Sequence, residues 1–398
     1  LNSKGDPIMD NKKEALAKHY EWNGKIEVMS RVPLNSREDL ALAYTPGVAE
    51  ACLAIEKNSD EAYKLTRKNN LVAVITNGTA VLGLGAIGPA ASMPVMEGKC
   101  VLFKAFADVD AFPISIQSRD VDLIVQTIEQ ISGSFGGINL EDIAAPECFE
   151  VERRLKAALD IPVFHDDQHG TAVVVAAGLI NALKLVDKSF AGIKVVVNGA
   201  GSAGIAVAKH LLNFGVQNLI LTDKSGILAS DTPDLNSEQQ HMMTVTNLTK
   251  QHGDLTLALK DADVFIGVSA GNILKPSMIL NMKPDPIVFA MANPVPEIMP
   301  EMAATAGVAV IGTGRSDYPN QVNNVLAFPG IFKGALSVRA SDINEAMKVA
   351  ASHAIASLIT SDELKADYVI PDALDPRVCP AVAKAVKEAA IETQINRI

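Results

Sequence analysis

Only four cysteines occur in 398 residues (Cys52, Cys100, Cys148 and Cys379), and no two of them form a CxxC pair. That excludes a disulfide framework and a thiolate zinc site, and it fits a reducing cytoplasm. No apolar run is long enough to span a bilayer, so no membrane partner is expected. The longest run, Ala172 to Ile180, reads as one buried helix. Basic charge is also short: 35 Lys and Arg against 46 Asp and Glu give a formal net charge of −11. Such a chain is a poor binder of phosphate backbones, and no nucleic-acid partner is expected. Residues 1–8, ahead of Met9, have neither a signal peptide's apolar core nor a transit peptide's basic face, and are set aside. Repeats and low-complexity tracts are missing, which removes solenoids and linker-built arrays.

What remains is a globular composition, 48% hydrophobic, at a length suited to two domains. Asp10 to Arg31 reads as a helical lead-in. Leu71 to Ile75, Val101 to Phe103 and Pro162 to Phe164 read as strands, with helices over Ser118 to Ile131 and Pro146 to Leu159. The second half holds Lys194 to Val197, Leu219 to Thr222, Asp263 to Val268, Ile287 to Ala290 and Val308 to Ile311. These are short Val- and Ile-rich runs separated by enough chain for crossovers, the pattern of a doubly wound parallel sheet. The expected fold is α/β. An N-terminal substrate and metal domain (residues 1–165) precedes a Rossmann-type dinucleotide domain (166–398), and helical Ser341 to Thr360 packs back on the first half.

The run Gly199-Ala200-Gly201-Ser202-Ala203-Gly204 follows a strand, opens a helix, and is followed 19 residues after its last glycine by Asp223 at the end of the next strand. Gly199, Gly201 and Gly204 supply the turn, the backbone approach to a pyrophosphate and the helix–strand packing. Ser202 and Ala203 begin a helix whose free N–H groups face phosphates. Asp223 suits a ribose 2′-hydroxyl and favours NAD, while Lys224 beside it leaves NADP open.

Two acidic pairs, Glu141-Asp142 and Asp166-Asp167, stand where apolar segments meet loops. Carboxylates there point into the crevice of an open α/β sheet and would suit Mg²⁺ or Mn²⁺. The same acids also read as helix caps before Pro146 and before Gly170. His165 and His169 offer a rival zinc reading, weakened by the lack of a third nitrogen or sulfur ligand. Tyr44 and Lys99 could form an acid–base pair, although by spacing alone an exposed lysine and a packed tyrosine are the ordinary reading.

Several segments together closely resemble the malic enzyme family. They are Tyr44-Thr45-Pro46-Gly47-Val48-Ala49, residues 76–85 (TNGTAVLGLG), Pro94-Val95-Met96-Glu97-Gly98-Lys99, Glu141-Asp142-Ile143, residues 165–172 (HDDQHGTA), Met291-Ala292-Asn293-Pro294 and Asn323-Asn324-Val325. The resemblance runs from about Pro33 to Phe332 and is nearest the shorter bacterial-type members. It implies oxidative decarboxylation of L-malate to pyruvate with NAD or NADP. Tyr44 would be the general acid, and Lys99 the general base, its pKa lowered by cationic neighbours. Glu141, Asp142 and Asp167 would hold Mg²⁺ or Mn²⁺, with Asp166 beside them. Asn293 and Asn324 would contact nicotinamide or substrate, with Asn323 adjacent. A homodimer is also implied.

Ala80 stands where long-chain members carry a carboxylate-binding arginine. Backbone N–H groups of Asn77-Gly78-Thr79, or Asn323 and Asn324, are the substitutes expected here. The end at Ile398 would omit the phosphotransacetylase-like extension of some bacterial relatives. Two other activities remain open: a malolactic conversion of malate to lactate, and a non-catalytic NAD sensor.

Overall fold

Parallel pairing joins β1 (Leu71–Thr76), β2 (Asp110–Ser115), β3 (Gly137–Leu140) and β4 (Val163–His165) into one sheet, in the order β2-β1-β3-β4. The computed structural model describes residues 7–81 and 83–398. Residues 1–6 of the segment set aside above, and Leu82 of the glycine-rich motif, lie outside the described residues. Strand β2 escapes sequence reading because Pro113 and its polar ends hide it; as an edge strand it tolerates the proline.

Val101 to Phe103, expected as a strand, instead lies inside the helix Pro89–Ala107. Its buried residues Ser92, Met96, Lys99, Cys100, Phe103 and Ala107 recur at helical spacing, and Pro89 sits at the first turn. Three apolar residues alone cannot distinguish the two periods. The lead-in helix spans Pro7–Trp22 and stops short of Arg31, at Asn23 and Gly24, both of positive φ.

A second sheet is built from β5 (Lys194–Asn198), β6 (Asn218–Asp223), β7 (Gly226–Ile227), β8 (Val264–Gly267), β9 (Ile287–Ala290) and β10 (Val310–Thr313). Their order is β10-β9-β8-β5-β6-β7. Every pairing is parallel except β6 with β7. The order reverses between β5 and β8, so a ligand crevice opens beyond their C-terminal ends.

Helix Asp166–Leu185 leaves β4 and leads to the second sheet. It is buried continuously from Ala172 to Leu183, which accounts for the long apolar run there. The expected return of Ser341 to Thr360 to the first half is made at its start, where Asp342 Oδ1 pairs with Lys156 Nζ at 3.0 Å and Ile343 O accepts from the same ammonium at 3.2 Å. Its helix, Glu345–Ala356, lies on Asp166–Leu185, where the Ser352 hydroxyl donates to Val173 O at 3.0 Å. The helix Phe328–Ser337 packs on the first half as well. Phe328 and Phe332 meet Phe103 edge-on at 4.7 and 5.3 Å, and Phe332 meets Phe164 at 5.9 Å. Truncating one such ring to alanine costs about 3–5 kcal/mol. This aromatic seam packs a helix of the second half against the helix Pro89–Ala107 and strand β4 of the first.

Candidate active site

Lys99 projects from the middle of its helix to the C-terminal ends of β3 and β4. Its Nζ lies 2.9 Å from Glu141 Oε1 and 2.6 Å from Asp166 Oδ2. All three are buried, and the ammonium also sits 4.3 Å above the ring of Phe328. Asp142 follows Glu141, and its N–H donates to Asp167 Oδ2 at 2.8 Å. Asn324 stands beside Asp166: a Cβ on Gly170 would lie 1.8 Å from Asp166 Oδ1 and 3.2 Å from Asn324 Cβ. Lys99, Glu141, Asp142, Asp166, Asp167 and Asn324 therefore form one cluster at the junction of the two sheets.

The protein side chains nearest Lys99 are anionic. Burial alone would lower its pKa, but Asp166, Glu141 and Asp167 together outweigh burial and raise it. These carboxylates favour the ammonium form of the lysine. Burial raises the pKa of Asp142 and Glu141, and repulsion from Asp167 adds to this in both. Burial likewise raises those of Asp166 and Asp167.

Whether these residues fit a divalent cation follows from the same cluster. Among the described residues no three His, Cys, Asp or Glu side chains are already gathered as ligands around one point. Glu141 is turned to Lys99, and Asp167 to the Asp142 N–H. Yet Asp142 Oδ2 and Asp166 Oδ1 are buried without any hydrogen-bond partner. Crowded, mutually repelling carboxylates with spare oxygens are the donor set a hard cation satisfies. The acids fit the ion in chemistry.

The zinc reading falls. His169 Nε2 is 2.8 and 2.9 Å from the two Glu152 oxygens, and its Nδ1 is 3.2 Å from Lys348 Nζ. Among the described residues no third His, Cys, Asp or Glu gathers with His165 and His169 as a ligand set. The backbone substitute for the missing arginine also falls at Gly78 and Thr79. Their N–H groups are spent on Thr76 Oγ1 and Asp142 O, and Ala80 N–H also donates to Asp142 O. Asn323 keeps its amide N–H₂ free for a ligand, since only its Oδ1 is used, accepting from Val325 N–H at 3.0 Å.

Tyr44 is not brought into this cluster. It ends the short helix Arg37–Ala43, is 67% exposed, and its hydroxyl makes no hydrogen bond with the described residues. Asn293 does come close to the first half: a Cβ on Gly83, at φ +72°, would lie 3.3 Å from Asn293 O.

The dinucleotide loop has the predicted form. Gly199 has φ +116°, and a Cβ there would lie 2.6 Å from Val268 O; one on Gly204 would lie 1.7 Å from Gly199 O. A Cβ on Gly201 would meet nothing within 4 Å. Packing therefore does not require that glycine, and the space over it is open. Gly201 caps the helix Ser202–Asn213 without a side-chain bond, leaving the N–H groups around Ser202 and Ala203 free. Asp223 ends β6, its Oδ1 accepting from Ser225 N–H at 2.7 Å and from Ser225 Oγ–H at 2.5 Å. Two further residues, missed by sequence reading, belong here: Phe328, and Glu297, which brackets the loops after β8 and β9. Glu297 follows Asn293-Pro294 closely in the sequence, and a charged residue in that otherwise apolar segment was the available signal.

A substrate-type crevice with a buried lysine–carboxylate cluster, facing a doubly wound dinucleotide sheet, defines the class. Family models agree with it: the malic enzyme NAD binding domain matches residues 168–391, and the malic enzyme N-terminal domain matches 23–120 and 115–156. A bifunctional malic/malolactic enzyme of Bacillus subtilis is 57% identical over 98% of this chain and 95% of its own length. An NAD-dependent malic enzyme of Geobacillus stearothermophilus is 57% identical over 94% of this chain and 78% of its own. The crystal structure of the malic enzyme from Pyrococcus horikoshii superposes with a TM-score of 0.92 at 46% identity, covering 96% of this chain and 92% of that one. The chain belongs to the malic enzyme family.

Proposed function

We propose that the chain catalyses oxidative decarboxylation of L-malate to pyruvate and CO₂ with reduction of NAD. The observation that carries this reading is Lys99, buried between Glu141 and Asp166 at the junction of the two sheets. In the neutral form Lys99 takes the C2 hydroxyl proton as hydride passes from C2 to the nicotinamide. The C3–C4 bond then breaks, CO₂ leaves, and its electron pair remains as the C2–C3 enolate. Tyr44 delivers a proton to C3 to give pyruvate. Glu141, Asp142 and Asp167 would hold Mg²⁺ or Mn²⁺, which when bound supplies polarisation of the C2 oxygen and offsets the carboxylate charge. Asn323 and Asn324 orient the substrate, and Asn293 the nicotinamide. NAD is favoured over NADP because Asp223 would repel a 2′-phosphate.

Three further readings belong to this proposal. The division between substrate and dinucleotide domains falls between residues 165 and 166. The chain works as a homodimer: Tyr20, Val28, Met29 and Leu42 are each at least 73% exposed along the N-terminal stretch, an apolar surface that a second copy would cover. It acts in the cytoplasm, as its four free cysteines suggest. Among the described residues no helix is long and apolar enough to cross a membrane.

A second reading is favoured by the name of the Bacillus subtilis relative, a bifunctional malic/malolactic enzyme: net conversion of malate to lactate at the same site. Purified protein with L-malate, Mn²⁺ and NAD or NADP tests both. Pyruvate with equimolar reduced cofactor supports the first, and lactate without it the second. Neither product with either cofactor abandons both.

A further inference from the structure

Glu297 is completely buried, and no lysine, arginine or histidine pairs with it among the described residues. Its Oε1 accepts the Ser269 N–H at 2.9 Å and the Ser269 hydroxyl at 3.4 Å, while Oε2 accepts the Ala292 N–H at 3.0 Å. Ser269 stands just beyond β8, and Ala292 just beyond β9, next to Asn293. The space is reserved for this side chain, since a Cβ on Gly267 would lie 2.3 Å from the Glu297 carboxyl carbon.

The bonds continue past the carboxylate. Asn198 Nδ2 donates to Ser269 Oγ at 2.5 Å, and the Thr222 hydroxyl donates to Asn198 Oδ1 at 2.8 Å. One polar chain, Glu297–Ser269–Asn198–Thr222, thus crosses the ends of β9, β8, β5 and β6 beneath the dinucleotide loop. An anion buried without a counter-charge is costly, so its chemistry needs a reason. Both loops present only donors to it, and only a carboxylate accepts on both oxygens. A glutamine would aim an N–H₂ group at one of them.

In a doubly wound sheet the first mononucleotide half lies over the β5–β6 side, where Asp223 stands. The second half lies beyond the reversal, over β8 and β9. We propose that Glu297 is a positioning residue for the nicotinamide half of the dinucleotide, holding the Ser269 and Ala292–Asn293 loops in the spacing that the hydride acceptor requires. This rests on the dinucleotide reading of the second sheet.

The test compares NADH with ADP-ribose, which lacks the nicotinamide, on full-length protein. In Glu297→Gln one buried donor loses its acceptor, so the NADH Kd and the KM for NAD should rise about tenfold. The Kd for ADP-ribose and the KM for malate should stay within about twofold. Ser269→Ala, which cuts the chain at its second link, should move NADH in the same direction by about threefold. Should Glu297→Gln fail to fold, Ser269→Ala decides by the same comparison. Equal weakening of NADH and ADP-ribose, or no change in either, overturns the proposal. Failure of the wild type to bind both ligands would instead overturn the dinucleotide reading itself.

Discussion

Lys99 Nζ lies 2.6 Å from Asp166 Oδ2, so the proposed base rests in the structure as the cation of a buried ion pair. It can accept a proton only when the surrounding negative charge is balanced from elsewhere. Lys99→Met should therefore lower NADH formation from malate by about 10²–10⁴-fold. The same change leaves Glu141 and Asp166 without their counter-ion, and proton uptake on purification near neutral pH should accompany it. Activity within tenfold of wild type would remove Lys99 from the base role.

The unpartnered Asp142 Oδ2 makes a separate prediction about the metal. Mn²⁺ at a hundred times its Kd should stabilise the wild type by about 2.7 kcal/mol, read as a rise in thermal midpoint that EDTA reverses. Asp142→Asn should lose most of that rise, because it removes one charge and one hard oxygen donor. An undiminished rise in the variant takes Asp142 out of the ligand set.

Much of this site was legible in the sequence because its residues sit in local patterns. Gly199 to Gly204 is read from strand, turn and helix in succession, and the acids at 141, 142, 166 and 167 from their places at strand ends. What sequence reading could not reach depends on chain brought from far away. Phe328 lies under Lys99 only because a helix of the second half folds back over Phe103. The charge state of Lys99 follows from carboxylates 42 to 68 positions along the chain, whose side-chain directions no spacing reveals. The misread strand at Val101 to Phe103 was a local failure: three apolar residues fit either period until the buried Met96 and Lys99 are counted with them.

Tyr44 is exposed and without a hydroxyl partner, whereas Lys99 is buried, and the two should separate in partial reactions. Tyr44→Phe removes the donor to C3 but leaves the hydride step its base. Oxaloacetate reduction with NADH should therefore be spared, while pyruvate formation from malate falls by about 10²-fold or more. Equal losses in both would sink the separate roles.

Asp223 uses Oδ1 on Ser225 and keeps Oδ2 free of side-chain partners at the end of β6. Asp223→Ser removes the charge that repels a 2′-phosphate. The ratio of kcat/KM for NADP to that for NAD should rise by about tenfold or more. A ratio unchanged in the variant would place the ribose elsewhere.

His210 makes the last prediction, for stability and pH. Its Nε2 lies 2.9 Å from Ser352 Oγ, its Nδ1 has no partner, and burial, helped by Lys348, pushes its pKa down to about 3. In the unfolded chain the same group titrates near 6.5. Between these values the unfolded state binds the extra proton, so stability falls as pH falls, by about 1.4 kcal/mol per unit. From pH 7.5 to 5 this one histidine should remove about 2 kcal/mol, and the loss should be complete only below its folded pKa. His210→Gln is less stable at pH 7.5 but cannot protonate. Its urea midpoint should therefore approach that of the wild type as the pH is lowered to 5. Midpoints that shift in parallel would mean that His210 is protonated within the fold.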